Sequence, residues 1–250
     1  TLTGMPLLFA SQPWAAGMIA MFGGVHLAGV LHRVFAIMLI INFILHFISL
    51  YRSFKNRSGT AKDWLFGPTS MMPRWRDLRD IMAVLKWLFA GGKKPTFDRW
   101  TYWEKFDYWA EIGGSMIIGG SGLLLWFPQF FSQYLFMPGW MYNVATIVHG
   151  FEALLAVGFI FTVHFFNAHL RPEKFPLDDV MFTGSMPEEE FVHERGAEHE
   201  RLVAEGRLDE LKVNPPAPWQ RQVALIMGWL AQIIGIIIVV LIILAALRWT

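Results

Sequence analysis

The sequence predicts an all-α fold, a polytopic transmembrane helix bundle. Three observations predict it. Hydrophobic types make up 54% of the 250 residues and charged types 16%, against about 25% charged in a soluble domain. Mean hydropathy is +0.39. The charges are also segregated: 1–32, 34–51, 112–131 and 223–247 hold no Asp, Glu, Lys or Arg, and 144–166 holds only Glu152. Each of the last four windows approaches the roughly 20 apolar residues that cross a bilayer core. The net charge of +1 gives no support to nucleic-acid binding. With no Cys, the chain cannot supply disulfides, thiolate ligands to iron–sulfur or zinc, or covalently attached haem. A redox cofactor held by this chain must use other ligands, and eight His are the available supply.

Residues 1–22 open on Thr1 and carry Pro6, Pro13 and several Gly, which disfavour one continuous helix. They read as the exit of an upstream helix followed by an interfacial segment, with residues missing before them. Four membrane helices are expected at about 23–52, 108–131, 142–169 and 221–247, so that 23–169 forms the transmembrane core. The loop 53–106 and its flanks are basic: 52–105 hold 12 Lys/Arg and 5 Asp/Glu. By the positive-inside tendency this side is cytoplasmic. The segment 170–220 returns to the same side. Within it, 186–212 (MPEEEFVHERGAEHERLVAEGRLDELK) reads as an amphipathic helix with Pro187 in its first turn. PPAP at 215–218 is a stiff linker into the terminal span, 221–250. The turn at 132–141 and Arg248-Trp249-Thr250 fall on the opposite side. Trp126, Tyr134 and Trp140 are placed at one interface, and Trp100, Trp103 and Trp109 at the other.

The first and third spans each carry a spaced His pair. His32 and His46 are 14 residues apart, and His149 and His164 are 15 apart. At 100° per residue these intervals return to within roughly 40° and 60° of the starting face. Because the two spans run in the same direction, His32 comes level with His149 and His46 with His164. Neutral imidazole is a natural axial ligand for haem iron. It is also an expensive group to leave unsatisfied in lipid, so an interhelical hydrogen bond is the competing use. Gly113, Gly114, Gly119, Gly120, Gly122, Gly150 and Gly158 leave room between helices for a macrocycle, or for close helix packing alone. Arg33 and Glu152 each fit either a propionate contact or an interhelical ion pair. His26 and His169 lie near helix ends, and His193 and His199 in the solvated segment carry no metal-site pattern.

The stretches KFDYWAEIGGSMIIGGSGLLLWFPQFFSQYL (105–135) and IVHGFEALLAVGFIFTVHFFNAHLRP (147–172) resemble the cytochrome b subunit of formate dehydrogenases. That subunit shares a family with the cytochromes b of nickel–iron hydrogenases and thiosulfate reductases. TGMPLLF (3–9) is similar to the end of that family's first helix, and His32-Arg33 to the start of its second. RPEKFPLDDVMFTGSMPEEEF (171–191) and the last span look like a five-helix branch of the family.

The resemblance implies two haem b, electron exchange with quinone or quinol, and a bacterial or archaeal cytoplasmic membrane. Substrate chemistry would lie in a partner, either the iron–sulfur subunit of a molybdenum enzyme or a multihaem cytochrome c. His32 and His149 carry over as ligands of the outer haem and His164 as one ligand of the inner. The partner of His164 is His46 or an upstream His. The family's quinone positions fall at Thr101, Trp103 and Glu104, whose identities differ. On chemistry, the candidates for proton handling are Glu104, Lys105, Asp107, Tyr108, Asn167 and His169. A proton or metal transporter, and a non-redox membrane anchor, are the alternative functions.

Overall fold

Lipid offers no hydrogen-bond partners, so a charge-free run must satisfy its backbone internally, and a helix does so within one segment. The computed structural model describes residues 1–172 and 174–247; among them helix is the dominant state and no strand occurs. The expected position of Arg248-Trp249-Thr250 lies outside the described residues.

Two short helices, α1 (Gly4–Leu8) and α2 (Pro13–Met21), precede the first span, α3 (Val25–Lys55). Gly23 and Gly24 make the turn into α3 with φ of 81° and 100°, a conformation that favours glycine. Arg52 and Lys55 close α3, where cations complement the helix dipole. Next come α4 (Ala61–Phe66), α5 (Trp75–Ala90) and α6 (Tyr102–Trp126). The expected span 108–131 is not continuous. Phe127 precedes Pro128, is biased away from the helical region, and sits at φ −122° and ψ 53°. The chain bends by 85° there into α7 (Pro128–Tyr134).

The third span starts as α8 (Trp140–Phe159) and continues as π-helix over Ile160–His164 and Phe166–Leu170. The remaining elements are α9 (Val180–Thr183), α10 (Glu188–Glu194), α11 (Gly196–Ala204), a 3-10 turn at Leu208–Leu211 and α12 (Pro218–Leu247). Among the described residues, three helical segments are long and apolar enough to cross a membrane: Val25–Lys55, Trp140–Leu170 and Pro218–Leu247. The bent pair α6 and α7 makes a fourth if taken as one span. The chain is a multi-pass membrane protein.

The chain divides into two units. The first comprises Thr1–Ser49, Ile112–Leu177 and Met227–Thr250. Its core gathers Met5, Phe9, Ala15, Val157, Ile238 and Ala245, with Trp14, Leu154 and Phe161 against them. Met5 of α1, Phe9 just after it and Ala15 of α2 are buried in this core. Gly235 of α12 lies so close to the Phe161 ring that a Cβ would overlap it.

The second unit comprises Leu50–Glu111 and Asp178–Ile226. The single helix expected at 186–212 is interrupted twice. Arg195 leaves the helical region before Gly196, and Gly206 turns the chain with φ 67°. Both breaks fall at glycines, which hold a helix poorly. Pro187 sits one position before α10 rather than within it.

Candidate functional site

Within the first unit, α3 and α8 bring His32 and His149 together. Their ring centroids are 6.1 Å apart and the rings stand at 85°. Each ring is held at Nδ1. The Ile118 carbonyl accepts from His149 Nδ1 at 3.1 Å, and Ser121 Oγ lies 3.1 Å from the same nitrogen. Thr3 Oγ1 lies 3.4 Å from His32 Nδ1. A ring bonded at Nδ1 to a carbonyl keeps its proton there and presents Nε2 as the basic nitrogen. Ser121 also donates to the Ile117 carbonyl at 2.7 Å, an i−4 contact within α6.

Glycines make this packing possible. A Cβ at Gly122 would come 3.1 Å from His149 Cε1, and one at Gly4 3.3 Å from His32 Cε1. At Gly114 a Cβ would come 2.8 Å from Glu152 Oε1. Gly113, Gly119, Gly120 and Gly158 meet nothing within 4 Å. Gly122 and Gly114 are among the glycines the sequence singles out, whereas Gly4 is not. Arg33 and Glu152 do not form an ion pair among the described residues. The Arg33 guanidinium lies over Trp126, 5.9 Å from the ring centroid, and is exposed. Glu152 lies half-buried against the Gly114 backbone.

No family model, curated protein or solved structure matches the chain.

His46 is half-buried and packs edge-on to Phe47, with centroids 6.0 Å apart. His164 is exposed and lies beside Phe165 at 6.5 Å. The helix between His149 and His164 is not α throughout, since Ile160–His164 is π-helical. A π turn, bonded i to i+5, takes one more residue than an α turn. Fifteen steps containing one such turn do the angular work of fourteen α steps. The stripe through His149 and His164 then has the same pitch as the stripe through His32 and His46 in the unbroken α3. Thr162 hydroxyl donates to the Gly158 carbonyl at 2.5 Å inside this turn. The one residue by which the His149–His164 interval exceeds the His32–His46 interval coincides with this π turn.

His169 is buried against Phe165 at 4.8 Å. Asn167 accepts from Arg171 Nε through its carbonyl at 3.1 Å. His26 is exposed at the start of α3.

Glu104, Lys105, Asp107 and Tyr108 belong to the second unit. Glu104 closes a capping box on α6: the Thr101 amide and hydroxyl both donate to Glu104 Oε2 at 2.8 Å. Arg195 grips the same carboxylate through both oxygens, at 2.8 and 2.6 Å. Lys105 is 2% exposed and donates to both oxygens of Asp77, at 2.7 and 2.9 Å. Asp77 also accepts the Arg74 amide at 2.6 Å and so caps α5. These pairs join helix starts far apart in sequence. Charges so committed serve structure, because removing one partner strands the other. Asp80, on the same helix, is pushed up from the usual carboxylate range by burial. Among the described residues no group of three or more His, Cys, Asp or Glu could hold a metal ion.

Proposed function

We propose that the chain is a membrane cytochrome b with two haem groups, relaying electrons between quinone and a partner redox protein. The observation that carries this reading is the His32–His149 pair. An iron bound by two imidazole nitrogens at about 2 Å each puts the ring centroids roughly 6 Å apart; the observed 6.1 Å suits that span. A haem needs only two protein ligands, so a pair of His is sufficient. The Gly122 and Gly4 contacts describe a cradle that any larger residue would crowd.

The haem, when bound, supplies reversible one-electron transfer; everything else falls to the chain. His32 and His149 would hold its iron from two helices. Ser121 and the Ile118 carbonyl fix the His149 tautomer and ring angle, which raises the basicity of its free nitrogen. Arg33, exposed in a membrane helix, offers its charge to a propionate. His164 would serve an inner haem, with His46 as the candidate second ligand within this chain. Asn167 and His169 follow His164 by three and five residues and are the candidates for handling protons as quinone exchanges there. Glu104 and Lys105 are held in ion pairs with Arg195 and Asp77.

The resemblance to formate dehydrogenase cytochromes adds the setting: a bacterial or archaeal cytoplasmic membrane and an iron–sulfur or multihaem cytochrome c partner. The transporter alternative calls for helices broken in mid-membrane. The 85° bend after α6 is the one break of that kind among the described candidate spans, and haem content decides between the two readings. The test is the reduced-minus-oxidised absorbance of the purified chain with haem quantitation. The expected result is b-type bands and two haems per chain; absence of b-type bands rejects the reading.

A further inference from the structure

The second unit carries a feature that electron transfer does not use. On α5, Trp75, Leu78, Met82, Leu85 and Phe89 recur at alternating intervals of three and four residues. They therefore fall on one face. All five are exposed, Trp75 at 83%, Met82 at 60% and Phe89 at 84%. The opposite face is committed: Asp77 is buried on Lys105, and Asp80 pairs with Arg76 at 3.9 Å. The helix is thus anchored by its polar side and presents its apolar side outward, the reverse of a helix on a soluble core.

Charge says what the stripe meets. From Arg74 to Lys94 the chain carries six basic residues and two acidic ones. Both acids, Asp77 and Asp80, lie on the inward face. Arg79 and Lys86 are exposed and flank the stripe on one side. Lys93 and Lys94 follow just beyond Gly91, which ends the helix at φ 67°. An apolar stripe with aromatic residues at both ends and a basic flank is the pattern of a helix lying in the bilayer interface. Anionic headgroups attract such cations near the surface. The attachment point agrees. Lys105, which holds Asp77, stands in the first turn of α6, whose charge-free part begins at Ile112.

We propose that α5 is an interfacial helix that inserts Trp75, Leu78, Met82, Leu85 and Phe89 into the anionic leaflet on the side where α6 begins. It would fix the second unit against the membrane surface.

The absence of Cys makes the test direct. The full chain carrying Met82→Cys, and separately Lys62→Cys as a solvent-facing control, is labelled with a polarity-sensitive dye. Each is reconstituted in vesicles of neutral lipid and of neutral lipid mixed with phosphatidylglycerol. In the mixed vesicles the Met82→Cys dye should shift to the blue and be quenched by a lipid-borne nitroxide but not by aqueous iodide. The control should show the opposite. In neutral vesicles the blue shift should shrink. Iodide quenching of Met82→Cys equal to that of the control overturns the proposal. So does a dye shielded from both quenchers in every lipid and in detergent, because α5 would then be covered by protein. Leu85→Cys repeats the measurement in case one label disturbs the helix. Haem content plays no part in any of these readouts.

Discussion

The two ends of the third span solve the same problem differently. At its start, α8 is regular, and His149 is fixed by three contacts: the Ile118 carbonyl, the Ser121 hydroxyl and the ring of His32. At its far end the helix widens into a π turn, and His164 is exposed beside Phe165. One end places its imidazole by side-chain and backbone contacts from neighbouring helices. The other places it by changing the helix's own pitch. An imidazole fixed by neighbours should tolerate little local change. An imidazole fixed by pitch should tolerate changes that preserve pitch.

The largest test of this contrast removes the ligands. His149→Ala should eliminate one haem of two in quantitative haem analysis and leave the second spectrally intact. His164→Ala should eliminate the other. His46→Ala then decides the open ligand: loss of the same haem as in His164→Ala makes His46 the partner, whereas full retention excludes it.

Register comes next. Deleting Thr162 should return the π turn to α geometry and keep both haems, because fourteen α steps preserve the stripe. Inserting one Ala after Leu39, in the unbroken α3, should weaken or abolish the inner haem if His46 is its ligand. Loss of a haem in the Thr162 deletion, with two haems in the parent, would refute the pitch argument while leaving the cytochrome reading intact.

A smaller effect is expected at Gly122. Gly122→Ala puts a Cβ 3.1 Å from His149 Cε1 and should shift the midpoint potential of the outer haem or lower its occupancy. Gly119→Ala, with nothing within 4 Å, should do neither. Potentiometric titration of the two variants separates them.

Glu104→Gln should leave both haem spectra unchanged. It should lower the stability of the second unit by about 2 kcal/mol, since Arg195 loses a charged partner. Thermal unfolding alongside absorbance checks both halves of that statement.

The spans were legible because lipid imposes a coarse rule, roughly 20 residues without charge, that survives uncertainty about side chains. The outer pair was legible for a related reason: His32 and His149 sit at matching distances along parallel spans. What the sequence concealed depends on finer terms. The bend at Phe127 needed Pro128 to be weighed against an apolar run that continues through it. The π turn has no residue signature of its own, only one surplus residue between two histidines. The grip of Arg195 on Glu104 spans 91 residues and that of Lys105 on Asp77 spans 28. No local pattern announces such pairs, which is why proton-carrying roles were open to Glu104 and Lys105. The α5 stripe, by contrast, was written plainly in the spacing of Trp75, Leu78, Met82, Leu85 and Phe89. It was masked by reading 53–106 only as a basic loop.

The central claim is that one haem iron is held between His32 and His149. Electron paramagnetic resonance of the oxidised purified protein tests it most directly. Two imidazoles held close to perpendicular, as these rings are at 85°, should give a strongly anisotropic low-spin ferric signal that disappears in His149→Ala. A spectrum without low-spin haem, or a signal that His149→Ala leaves unchanged, would contradict it.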